Sequence, residues 1–174
     1  MRFVDFLKAT VLLSAGAATL LAALTVISLA RDVEPLAVYV AAGWWLAAAV
    51  IGVWLGRRAE ANPPIARLLA TAKSQTTLPE MRPGMTVANR LWPLLGSTFV
   101  AGVIGFFLPQ VAAVAAGFAI IWALAWRRQD AAVQAIEERD GVTFFVEKTA
   151  PHHPMKLVRT PGFRREVPTV NAPG

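Results

Sequence analysis

The sequence predicts an all-α membrane protein with four transmembrane helices in two antiparallel hairpins and a small β-hairpin in a cytoplasmic tail. Three observations carry that expectation. Hydrophobic residues make up 56% of the 174-residue chain against 16% charged, and the mean hydropathy is +0.51, outside the usual range of soluble domains. The apolar residues fall into three uncharged blocks, residues 9–30, 36–56 and 91–126. Lys and Arg are confined almost entirely to alternate connections between those blocks.

A helix rises about 1.5 Å per residue, so about 20 residues cross a hydrocarbon core of about 30 Å. Blocks 9–30 and 36–56 each fit one crossing and form the first hairpin, residues 1–56. The third block is too long for one crossing and carries Pro109 near its middle, followed by Gln110. Proline removes a backbone donor and disfavours helix at the residue before it, so Leu108-Pro109-Gln110 reads as a tight turn. Residues 91–126 thus form a second hairpin, with a re-entrant loop as the alternative. Both versions return the chain to the side it left.

Basic residues are retained on the cytoplasmic side of bacterial membranes. Arg2 and Lys8 precede the first block. Arg57, Arg58, Arg67, Lys73, Arg82 and Arg90 lie in the loop of residues 57–90, and the rest, apart from Arg31, lie after Trp126. Of the 17 basic residues only Arg31 falls on the other side. The N-terminus, central loop and C-terminal tail are therefore expected in the cytoplasm of a bacterial plasma membrane. The net charge of +6 reads as retention and attraction to anionic lipid, with no nucleic-acid role. Trp54, Trp92 and Trp126 fall at the cytoplasmic ends of the spans, where amphipathic rings are favoured. The first thirty residues also admit a signal-peptide reading, with Ser28-Leu29-Ala30 before the cut, but their apolar stretch exceeds the usual ~7–15 residues.

In the central loop Asn62 suits a helix cap and Pro63 a first helical position. Ile65, Leu68, Leu69 and Ala72 then share one face of a short amphipathic helix, which lies on the inner membrane surface or packs on the tail. Residues 77–84 have the prolines and glycine of an irregular linker. In the tail, residues 127–174, good helix formers run unbroken from Arg127 to Asp140, so the last membrane helix is expected to continue until Gly141 caps it. Residues 142–148 and 155–159 read as two strands of a hairpin. A lone hairpin is marginal in water. A third surface is required, from the central loop, a second copy or another protein. Residues 168–174 have the composition of a disordered end.

The passages at residues 78–84, 89–93 and 136–144, and on through Val158-Arg159-Thr160-Pro161-Gly162-Phe163-Arg164, resemble a group of uncharacterised bacterial, actinobacterial multi-pass membrane proteins. The resemblance covers the second half of the chain. It implies no activity and no site residues.

Candidate chemistry is sparse. The chain has no cysteine, which removes disulfides, thiolate ligands and thiol nucleophiles. His152 and His153 are its only histidines and read as a solvated turn, because metal sites need three or four convergent ligands. Glu137, Glu138 and Asp140 beside Arg139 read as a solvated charged face. The three apolar blocks hold no Asp, Glu, Lys, Arg or His, which counts against ion-coupled transport. Ser14, Thr19, Thr25, Ser28, Ser97 and Thr98 can each bond back to their own helix. Gly52 and Gly56, extended by Ala48, and Ala113 with Gly117 provide small-xxx-small spacings, most simply used for packing within one chain. No catalytic, cofactor or metal residues are therefore assigned. The expected function is that of a non-enzymatic accessory or scaffold protein in the lipid bilayer, presenting a cytoplasmic module to a protein partner or to itself. The alternative is an oligomeric transporter or channel subunit, with Ser14, Thr25 and Ser28 on a water-facing stripe. A membrane enzyme handling lipid phosphates ranks third.

Overall fold

The computed structural model describes residues 1–30, 35–58, 60–75, 83–147 and 153–161. The chain is mostly helical, with four helices long and apolar enough to span a membrane, plus a small sheet. In order these are α1 (Phe3–Leu29), α2 (Pro35–Leu55), α3 (Pro63–Ala70), β1 (Lys73–Ser74), α4 (Pro83–Phe107), α5 (Pro109–Trp126), α6 (Gln129–Asp140), β2 (Val142–Val146) and β3 (Leu157–Pro161).

The bundle is organised around α5, which packs against α1, α2 and α4, whereas α1 and α2 scarcely touch. Small residues explain why. Gly52 and Gly56 let α2 lie on α5, where a Cβ at Gly52 would sit 2.8 Å from the Leu124 side chain and one at Gly56 would overlap the Leu124 carbonyl. On α5, Ala112 and Ala116 are fully buried. Ala112 packs close against Gly105 of α4, and Gly117 admits the Trp44 indole. Without a hydrophobic force between helices in lipid, such close backbone approach supplies the dispersion contacts that hold a bundle. The outward faces carry Leu12, Leu20, Val40, Leu46, Phe99 and Phe107, all large, apolar and exposed.

Pro109 acts as expected. Leu108 leaves the helical region (φ −129°, ψ 87°) and Pro109 takes the first position of α5. Other boundaries differ from expectation. The stub before residue 9 is helical from Phe3, and α4 begins at Pro83, so the last two residues of the expected linker and residues 85–90 of the central loop extend the third long helix. The rest of that linker, residues 77–82, lies outside the described set. The last long helix runs on to Asp140 as expected, with a two-residue interruption at Arg127 and Arg128 that divides it into α5 and α6. Two contacts with the central loop flank this point. Gln129, 1% exposed, accepts a hydrogen bond from the Asn62 N–H (2.9 Å), and Arg128 donates to the Arg57 carbonyl (3.4 Å). Both contacts tie the start of α6 to the central loop. Gly141 caps α6 in the left-handed conformation (φ 63°).

The expected tail hairpin is present, with β2 and β3 antiparallel from Val142↔Pro161 to Val146↔Leu157. Its third surface comes from within the chain. β1 pairs parallel to β3 through Lys73↔Val158 and Ser74↔Arg159, giving the order β1-β3-β2. The free edge of β2 is covered by the N-terminus: Arg2 bridges Phe145, and the Val146 N–H donates to the Met1 carbonyl (3.1 Å).

Candidate functional site

The residues around this sheet form a module with its own hydrophobic core. The first two turns of α1 supply Phe3, Val4, Phe6 and Leu7, each at most 6% exposed. Ile65 of α3, Leu91 of α4, Val133 of α6 and Phe144, Val146 and Leu157 of the sheet complete it. Each such side chain contributes about 1.5–3 kcal/mol when buried from water. The contributors come from both ends of the described chain and from its middle. Of the two readings for α3, packing on the tail is what the structure shows, with Leu68, Leu69 and Ala72 against this core. Asn62 precedes α3, and its side chain makes no capping bond.

Two buried polar side chains organise the module. Glu137 is 5% exposed, which corrects its expected place on a solvated face; Glu138 and Asp140 do lie exposed. One carboxylate oxygen of Glu137 accepts from the Arg2 guanidinium and the other from the backbone N–H of Phe144, both at 2.8 Å. The physical reason for burial is that an ionised carboxylate leaves water when charge-assisted donors replace it. Gln129 plays the same part for the central loop, its amide nitrogen lying 3.5 Å from the Glu60 carbonyl. Burial pushes the Met1 ammonium below its ordinary value, with Asp5 acting the other way. At the end of α6, Arg139 bonds Asp140 at 2.7 Å and holds that carboxyl below its usual range, in an exposed pair. These are positioning contacts. They orient elements of the module relative to one another.

The remaining candidates resolve similarly. His152 lies outside the described residues; His153 is exposed, and its carbonyl accepts from Arg90 at 2.7 Å. Among the described residues no group of three or more His, Asp or Glu is placed to hold a metal ion. Ser14 and Thr25 are fully buried, and their hydroxyls donate to the Thr10 and Leu21 carbonyls of the same helix at 2.8 Å. Thr19, Ser97 and Thr98 bond back likewise. Among the described residues the buried side-chain oxygen without a partner is Glu147 Oε2, just beyond β2.

Sequence reasoning missed the interhelical bonds of Trp44 and Trp45, whose indole N–H groups donate to the Val114 (3.2 Å) and Ala113 (2.9 Å) carbonyls. The available signal was two adjacent tryptophans away from the ends of a span, where an indole N–H has no water to meet. Also unforeseen is an open apolar groove of about 750 Å³ between α1 and α4. Gly16 and Gly102 both line it, and neither has any atom within 4 Å of its Cβ direction. Compared with known proteins, the chain matches no family model, no curated protein and no solved structure.

Proposed function

We propose that this is a non-enzymatic bacterial plasma-membrane protein whose bundle anchors a folded cytoplasmic module, and that the module docks a protein partner through the outer face of α6. The observation that carries this reading is the division of α6. It buries Gln129, Ala132, Val133 and Glu137 and leaves Ala131, Gln134, Ala135, Glu138 and Arg139 exposed. A helix fixed on one side by a core and presenting small and charged residues on the other is a preorganised surface, which lowers the ordering cost of binding. Strand addition at the sheet is a weaker route. β1 and the N-terminus already occupy the edges of the hairpin.

The orientation belongs to the same proposal and rests on the distribution of Lys and Arg, with both termini and the module on the cytoplasmic side. The test is site-specific photocrosslinking from Gln134 and from Glu138 in native membranes. A crosslink to one other protein, lost on the double reversal Glu138→Lys with Arg139→Glu, is the expected result. Crosslinks to lipid alone overturn the proposal, and crosslinks confined to a second copy convert the module into a self-association surface. Deleting the hairpin is a poorer test, because it would strip Phe144, Val146 and Leu157 from a shared core.

A further inference from the structure

We infer that the groove between α1 and α4 binds one anionic phospholipid from the leaflet nearest the module, with the phosphate at Lys8 and an acyl chain along the groove. The inference rests on the four helices lying in a bilayer and not on the docking role of α6.

Leu12, Gly16 and Leu20 of α1 face Phe99, Gly102 and Phe106 of α4 across an apolar trough. Its lining on α1 runs from Leu12 to Leu24, about 18 Å along a helix. That is close to the ~15 Å of hydrocarbon in one leaflet. The trough is polar at one end only. Lys8, Leu12, Gly16 and Leu20 are spaced by four residues, so they form one stripe, and Lys8 is exposed one turn beyond the mouth. Trp92 of α4 stands half exposed, three residues before the lining residue Leu95, at the level favoured for an indole among headgroups. The far end, at Leu24, Phe106 and Phe107, is wholly apolar.

This gradient, cation and indole at one end and hydrocarbon at the other, matches the amphipathic order of a single phospholipid. A partner helix would need no charge at the mouth. Thr98, the polar side chain of the lining, already donates to the Leu94 carbonyl (2.7 Å), so the walls offer an acyl chain no competing polar group. Asp5 is also exposed, one turn further out, and its negative charge disfavours a phosphate beyond Lys8.

The two glycines make the inference testable, since larger side chains there enter open space. Purified protein in mild detergent is stripped of lipid. It is then mixed with equal amounts of phosphatidylglycerol and phosphatidylcholine of the same acyl chains, and bound species are read by native mass spectrometry. One phosphatidylglycerol per chain is expected on the wild type. The double variant Gly16→Leu with Gly102→Leu should lose it. Lys8→Gln should lower its retention about fivefold, the loss that one interfacial cation implies. Gly43→Leu, on α2 and equally unencumbered, should leave retention unchanged. Undiminished retention in the double variant overturns the site, and so does equal retention of the two lipids with no effect of Lys8→Gln. A wild-type dimer that the double variant breaks also overturns it, making the groove a contact between copies.

Discussion

At the scale of single residues, Glu137 shows how one carboxylate joins distant parts of the chain. It serves Arg2, which is 135 positions away, and the buried backbone N–H of Phe144 in β2 together. Removing it leaves a buried N–H without an acceptor, at a cost of about 1–3 kcal/mol. Glu137→Ala should therefore lower the thermal unfolding midpoint more than Glu137→Gln, which keeps an acceptor. Arg2→Ala should cost less than Glu137→Ala, because the Arg2 side chain is 48% exposed and the Phe144 N–H keeps its acceptor. Midpoints measured in the same detergent order the three variants. The glycines follow a similar rule. At Gly56 a methyl group would meet the backbone carbonyl of Leu124, which cannot swing aside, whereas at Gly43 it meets nothing. Gly56→Ala should cost about 1–3 kcal/mol by overpacking, and Gly43→Ala should stabilise α2 by about 0.5–1 kcal/mol through helix propensity.

At the scale of elements, the two-residue β1 completes a sheet that its flanking hairpin could not sustain alone. Lys73 and Ser74 pair with β3, the Gln75 N–H donates to the Arg159 carbonyl (3.0 Å), and Arg159 donates to the Ser74 hydroxyl (2.8 Å). Replacing residues 73–75 by glycine should weaken this edge. Faster cleavage within the tail under limited proteolysis is expected, with the membrane helices left intact. Equal cleavage rates would show that β1 contributes nothing to the module. The amphipathic pattern of α3 was readable from Ile65, Leu68 and Leu69, yet two surfaces fitted it equally well. The structure puts that face on the module core, with Ile65 inside it and Leu68 and Leu69 packed against it.

For the whole molecule, the absence of cysteine makes topology directly measurable. Single cysteines at Glu138, in the module, and at Gln110, exposed at the turn into α5, should react with a membrane-impermeant maleimide from opposite sides. Labelling of both from one side would favour the re-entrant loop. The position of α5 at the centre of the bundle also has a consequence. Substitutions on its small-residue face should disturb every other span, while equivalent changes on the exposed face of α2 disturb none.

The sequence by itself determined the number of apolar helices, the turn at Pro109, the cap at Gly141 and the paired tail strands. Each of these is a local consequence of hydropathy, backbone restriction or period-two patterning. The candidate site was legible only in part. Glu137 and Gln129 look like surface residues because nothing in their neighbours announces burial, and Phe3 to Leu7 look like a stub before a span. Tertiary structure alone decided that these segments meet, that β1 and Arg2 close the sheet, and that α5 lies between α1 and α2. The reason is physical: burial and hydrogen-bond satisfaction depend on partners more than a hundred residues away, and local pattern carries no record of them.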